Sequence, residues 1–303
     1  MSSKEVKNHS YSVRIKLLNL SKKLNVDYNY LVLQYAQERF LYRLSLSEYV
    51  NNFILKGALL LYSSGSGMFR PTKDIDFSGR GLSNDEYNIK NVFAEISGIK
   101  TGDDLSFESM TITSRRIAEA NEYKGLRLNL PFKLDTIKSV LTIDVAFGDV
   151  SHIKPVFLEY PVLLKMPSPR IKADSIETAV AEKFHAIVKL NFLTSRMKDF
   201  YDIAFIAGNY NPEKQSLKIS IEKTFKNRNT PLEYRSAIYT PEFRNDSKKQ
   251  TQWKSFLKRI KSDNAEDFNS VIEKIKSFIE PVFESKIGKF RWNKNRWKYT
   301  KYE

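Results

Sequence analysis

Apolar residues recur at helical spacing through residues 11–25 (YSVRIKLLNLSKKLN) and more strongly through 28–45 (YNYLVLQYAQERFLYRLS), so two amphipathic helices are expected first. The apolar run FILKGALLLY at 53–62 predicts a third helix, with Lys56 and Gly57 in its first turn or just ahead of it. Glycine, serine and proline make SSGSGMFRPT (63–72) a loop. A short strand is expected from Asp74 to Phe77, and a helix over 85–99. The period then falls to two. LSFESMTITSRRI, LRLNLPFKL and SVLTIDVAF alternate or carry β-branched residues, with turns expected at 101–104 and 121–125. From about 174 the helical period returns. DSIETAVAEKFHAIVKLNFL opens on Asp174 as N-cap, with Glu177 completing a capping box. RMKDFYDIAFIAG follows and is expected to end at a C-capping Gly208. Further helical patterns lie near 212–226, 247–262 and 264–286. The predicted class is α+β: a mixed sheet flanked by helices over 1–170, then a mainly helical, basic domain over 171–303. The proline-punctuated KMPSPR segment marks the boundary.

Within that frame, Asp74 and Asp76 draw attention because residues i and i+2 of a strand face the same way. Two carboxylates that close repel unless a cation intervenes, and a divalent metal is the usual one. A charged strand end paired with Lys73 or Arg70 is the plainer alternative. Asp144 strengthens the metal expectation. It is a single acid between Ile143 and Val145 in an apolar strand, costly to bury unless paired or ligating. Three carboxylates from two strands match what two Mg²⁺ ions need to hold a triphosphate and activate a hydroxyl. Asp149 is expected to be a turn residue. Gly57 would let backbone approach a phosphate, with Lys56 beside it; the alternatives are a packing glycine and a solvated lysine. Arg70 and Thr72 lie on the loop into the acids, placed either to touch nucleotide or to make the turn. Lys183 sits near an apolar helix stripe, where a lysine snorkels or binds triphosphate. Arg196, Lys198, Asp199 and Asp202 share one or two helix turns, with both acids on one face; a salt-bridged helix start is the alternative. His185 is expected to be a packed or solvent-edge histidine and not a ligand.

Charge then widens the picture. With 50 Lys and Arg against 35 Asp and Glu in 303 residues, the net charge of +15 favours polyanionic partners, nucleic acid first. The tail KIGKFRWNKNRWKYTKYE interleaves seven basic residues with five aromatics. Lys289, Arg291, Trp292, Arg296, Trp297 and Lys298 are therefore candidates for backbone neutralisation and base stacking. A strip docking on the protein itself is the alternative. The chain has no cysteine, which excludes disulfides and thiolate metal sites and fits a cytoplasmic setting. His9, His152 and His185 are too few for a His-rich zinc site. No apolar run approaches the ~20 residues of a membrane span, so no membrane partner is expected.

Five segments together resemble the AbiEii/MenT family of toxin nucleotidyltransferases, within the polymerase-β-type superfamily. They are YAQERFLYRLSLSEYVNNFILKGALLL (35–61), RPTKDIDF (70–77), LTIDVAFGD (141–149), AEKFHAIV (181–188) and SRMKDFYDIAF (195–205), with looser similarity through PEFRNDSKKQTQWKSFLKRI. The resemblance implies that Asp74 and Asp76 bind metal and that Asp144 is the third carboxylate. It implies a phosphate-binding role for Lys183 and a second-motif acid at Asp199 or Asp202. It also implies Mg²⁺, an NTP substrate and a separately encoded antitoxin, and for some members the 3′ end of tRNA as acceptor. One departure stands out: Gly57-Ala58 replaces the family's Gly-Gly and the superfamily's frequent Gly-Ser. Ala58 has no hydroxyl, which leaves backbone N–H groups and Lys56 for phosphate there. The expected activity is Mg²⁺-dependent transfer of a nucleotide to RNA; in-line displacement depends on placement and charge neutralisation, so the lack of a cysteine or Ser-His nucleophile is no objection. The rivals are nucleotidyl or phosphoryl transfer to a protein, to a small molecule or onto Thr72, and a non-catalytic RNA-binding module.

Overall fold

The computed structural model describes residues 9–63, 70–119, 123–148, 153–262, 266–285 and 288–302. They fall into two compact units. The first comprises 9–63, 71–119, 123–148 and 156–173; the second comprises Arg70, 153–155 and the described residues from 174 onward. Asp149 and His152 lie outside the described residues, as do 64–69 of the expected loop and 286–287 of the tail.

The first unit runs α1 (His9–Leu24), α2 (Tyr28–Leu46), β1 (Phe53–Lys56), α3 (Gly57–Tyr62), β2 (Asp74–Gly79) and α4 (Glu86–Gly98). It continues through β3 (Leu105–Phe107), β4 (Thr113–Glu119), β5 (Tyr123–Leu134), β6 (Ile137–Phe147), β7 (Val156–Glu159) and β8 (Arg170–Ala173). The strands form one mixed sheet in the order β3-β5-β6-β2-β1-β8-β7, with β4 also on β5. The pairs β2–β6 and β1–β8 are parallel and the rest antiparallel. Register explains the layering. Leu55, Phe77, Val145 and Leu126 are successive partners across β1, β2, β6 and β5, and all four are buried. Aromatic side chains of the helices pack into this layer: Phe93 of α4 meets Phe53 at 4.9 Å between ring centroids and Phe40 of α2 at 5.7 Å. Each such side chain contributes about 1.5–3 kcal/mol by leaving water.

Helix α2 is unusual in burying charge. Arg43 donates to both oxygens of Asp103, at 2.6 and 2.9 Å, and to the Leu105 carbonyl. Arg39 donates to the Pro167 carbonyl, while Glu38 accepts the Leu163 N–H. Burial pushes the Glu38 carboxyl up to about 8. These bonds tie two irregular segments to α2, and removing one partner of such a buried pair costs about 3–5 kcal/mol.

The second unit holds α5 (Ile176–Leu190), α6 (Met197–Asn209), α7 (Lys214–Asn227), α8 (Pro241–Arg244), α9 (Ser247–Arg259) and α10 (Phe268–Ile279). A hairpin of β9 (Phe290–Asn293) and β10 (Lys298–Lys301) closes it. Phe200, Phe243, Phe268 and Trp253 form its aromatic core.

Several expectations are corrected. FILK is a strand, not the first turn of a helix; a short, fully buried apolar run carries no periodicity to separate the two. The helix begins at Gly57. Residues 123–125 belong to β5 and not to a turn. The α5 N-cap is Ser175, whose hydroxyl accepts the Thr178 N–H, while Asp174 accepts from Ser175. Helix α6 continues past Gly208 to Asn209, and its C-cap is Tyr210. Strands β7 and β8 were not anticipated.

His185 is buried against Phe225 and bonds Thr230 through Nε2 at 2.9 Å. Burial, and then the nearby Arg228 and Lys189 charges, pull its pKa down to about 3. Between about 3 and the usual 6.5 the unfolded chain therefore binds a proton that the native protein does not. Stability should rise with pH across that window, by about 1.4 kcal/mol per unit from this group. Denaturant unfolding from pH 4 to 7 should show that slope flattened in His185→Gln, and an unchanged profile would contradict it.

Candidate active site

The sheet's polar face carries the first group of expected residues. The face opposite the Leu55–Phe77–Val145–Leu126 row must bear their chain neighbours. Register places Lys56 beside Asp76, Asp76 beside Asp144, Asp144 beside Arg127 and Arg127 beside Arg115, across five strands. The row reads plus, minus, minus, plus, plus. Asp74 lies two residues back on β2, on the same face, and Thr142 is its partner on β6. The alternation is visible in burial: Asp74, Asp76 and Asp144 are half-buried, whereas Ile75, Phe77, Ile143 and Val145 are fully buried.

Arg127 was not among the residues expected from sequence. Its Nε and Nη2 donate to the two oxygens of Asp144 at 2.7 and 2.6 Å, and Nη2 stands 3.8 Å from Asp74. The hydrogen bonds to Asp144 hold the guanidinium above even its ordinary high pKa. Alternation in LRLNLPFKL already set Arg127 and Asn129 on one face. The pairing of β5 with β6, which chooses their partners, was not legible.

Gly57 sits directly against the acids. Its φ is +68°, and a Cβ there would fall 2.0 Å from Asp76 Oδ2. Only glycine both adopts that backbone and leaves room for the carboxylate to seat against it. Thr72, on the approach to β2, directs its hydroxyl towards the Asp74 carbonyl at 3.5 Å, and its own carbonyl accepts from Gln37. It serves the turn.

The donors fit Mg²⁺ in kind. Carboxylate oxygens are the ligands a hard cation takes, and the missing side chain at Gly57 makes room for the Asp76 carboxylate on this face. Among the described residues, however, no three acids or histidines stand close enough to cage a metal as their side chains lie. Both Asp144 oxygens are held by Arg127.

The second unit gathers the other expected residues. Lys183 of α5 donates to Asp202 of α6 at 2.6 Å and lies 3.7 Å from Asp199. Arg70 grips Asp202 with two bonds, at 2.6 and 2.8 Å, and Arg196 bonds Asp199. Both acids are fully buried. Burial alone would lower the Lys183 pKa, but Asp202 and then Asp199 outweigh it and raise it. Burial likewise opposes ionisation of Asp202, yet Lys183 and Arg70 hold its carboxyl below the usual range. Lys183 and Asp202 therefore hold each other in their charged forms. Both acids face it, and Lys198, one residue from Asp199, points to solvent.

The tail is corrected in part. Trp292 is buried against Phe278 and donates its indole N–H to the Ala207 carbonyl, so it is a core residue and has no face for a base. Trp297 packs edge-on against Trp292 and is half-buried. Lys289, Arg291, Arg296 and Lys298 are exposed along the hairpin.

Comparison with known proteins follows the same lines. The family model described as "Nucleotidyl transferase AbiEii toxin, Type IV TA system" matches residues 39–276. No curated protein sequence matches the chain. Among solved structures, MenT4, a nucleotidyltransferase toxin from Mycobacterium tuberculosis H37Rv, aligns at a TM-score of 0.61 with 13% identity, over 93% of this chain and 92% of that one. At that identity the likeness shows a shared fold. JHP933 from Helicobacter pylori aligns at 0.44 with 14% identity, over 82% of this chain and 91% of its own, too weakly to add to this. Among the described residues no helix is long and apolar enough to cross a membrane. With more than half of its length matched by the family model, the chain belongs to the AbiEii family of nucleotidyltransferase toxins.

Proposed function

We propose that this toxin transfers a nucleotide from an NTP to an RNA acceptor, the 3′ end of tRNA, and so blocks translation until a separately encoded antitoxin opposes it. The observation that carries the reading is the row Lys56–Asp76–Asp144–Arg127 with Gly57 beside it. A face that sets carboxylates between cations, with a glycine against which the Asp76 carboxylate seats, suits a metal–triphosphate. Asp74 and Asp76 would hold Mg²⁺, with Asp144 as third carboxylate. Bound there, Mg²⁺ supplies charge neutralisation and a lowered pKa for the attacking 3′-hydroxyl.

The chain's own residues do the positioning. Lys56 neutralises phosphate charge, and the amides opening α3 donate to phosphate oxygens. Gly57 gives the Asp76 carboxylate room to seat on this face. In-line displacement at the α-phosphate depends on placement and electrostatics more than on any covalent group. Lys183, cast by the family resemblance as a phosphate-binding lysine, takes that role by exchanging Asp202 for a phosphate; Arg70 and Arg196 keep the acids neutralised meanwhile. The division at about 170 assigns nucleotide chemistry to the α+β part and RNA contact to the basic helical part. There Lys289, Arg291, Arg296 and Lys298 would meet the RNA backbone and Trp297 a base. A net charge of +15 favours RNA over a small-molecule acceptor. A cytoplasmic location accords with a tRNA target.

Incubating the protein with each labelled NTP, Mg²⁺ and total RNA should label tRNA-sized RNA, and Asp76→Ala should abolish it. Label on protein, or on nothing, would sink the proposal. Gly57→Ala should fold yet lose about a hundredfold or more in transfer rate, since small misplacements at a reacting centre cost that much. Unimpaired transfer by Gly57→Ala would show that the seating of Asp76 against Gly57 is not needed.

A further inference from the structure

We propose that Arg127 is a resident counter-ion of the carboxylate face, a guanidinium that holds Asp144 in the metal-free protein and gives it up when a divalent cation enters. The inference rests on the assignment of Asp74, Asp76 and Asp144 to a cation, and adds a residue to that site.

Register is the first support. Asp76 and Asp144 are direct partners on parallel strands, so two like charges stand side by side on a half-buried face. Something positive must offset them when no metal is present. Arg127, the partner of Asp144 on the other side, is placed to do so. The geometry is the second support. Both Asp144 oxygens are engaged by the fork of one guanidinium, while Nη2 leans towards Asp74 at 3.8 Å. Arg127 thus touches two of the three acids assigned to the metal. A cation drawing on Asp144 competes for the same lone pairs.

The third support is freedom to leave. The Arg127 side chain is 29% exposed, and its backbone is anchored by the buried Leu126 and Leu128 on the opposite face. The guanidinium can therefore swing away without disturbing the core. Arg115, its partner on β4, is exposed and carries the same charge, which directs Arg127 towards the acids while they are ionised. A cation that takes over Asp144 removes that attraction and leaves a mobile positive charge at the edge of the site.

The consequence is measurable without catalysis. If Arg127 occupies Asp144, the apparent affinity for a cation is reduced by the fraction of protein in which that carboxylate is released. Mn²⁺ binding to the full-length protein without nucleotide should be titrated by calorimetry and electron paramagnetic resonance, with circular dichroism confirming the fold. Arg127→Met should bind Mn²⁺ about tenfold or more tightly than the parent, and Arg127→Lys, which keeps the charge but lacks the fork, should fall between. With Asp144→Asn as the starting point, Arg127→Met should change Mn²⁺ affinity far less. Equal or weaker Mn²⁺ binding by folded Arg127→Met and Arg127→Lys overturns the inference while leaving the cation site standing. Absence of Mn²⁺ binding in parent and variants alike overturns the cation assignment and this inference together.

Discussion

Two carboxylates, Asp76 and Asp144, are forced side by side by the parallel register of β2 and β6, and much of the first unit is arranged around that repulsion. The buried row beneath them, Leu55, Phe77, Val145 and Leu126, fixes the register, because a slip of one residue would turn every apolar side chain outward. The core thus holds the acids in place against their mutual repulsion. Lys56 and Arg127 flank them in the same row, and Gly57 makes room for the Asp76 carboxylate. A free-standing pair of acids would be an unstable surface; this pair is set between two cations.

The second unit balances charge differently. Asp199 and Asp202 are fully buried, and three cations, Lys183, Arg70 and Arg196, close on them. Burial strengthens those attractions as it raises the cost of losing a partner. Lys183 is consequently a lysine with a carboxylate already in hand. The phosphate binding proposed for it would be an exchange of partners and not the capture of a ligand by a vacant ammonium.

Much of this was legible beforehand, and the limits have physical causes. Helical periods gave α1, α2, α4 and the long helices of the second unit, because amphipathic stripes of four turns leave a strong signal. The strand bearing Asp74 and Asp76 and the strand bearing Asp144 were read from alternation, and the family from consecutive residues around them. FILK failed as a helix because four buried residues show no period. Trp292 failed as a nucleic-acid contact because composition cannot separate an aromatic that stacks on a base from one that plugs a core; its indole N–H to Ala207 decides that. Arg127 was missed for a third reason. Its alternation was visible, but its partner is chosen by strand pairing 17 residues away, which no local pattern encodes.

The central claim is that the charged row on the sheet is where a cation and a nucleotide triphosphate meet. A crystal of the full-length protein grown with Mn²⁺ and a non-hydrolysable NTP, with anomalous data collected at the manganese edge, tests it directly. The account predicts anomalous density against the carboxylates of Asp74 and Asp76, with the triphosphate beside Gly57. Manganese bound elsewhere, with those carboxylates bare and the nucleotide absent from that face, would contradict it.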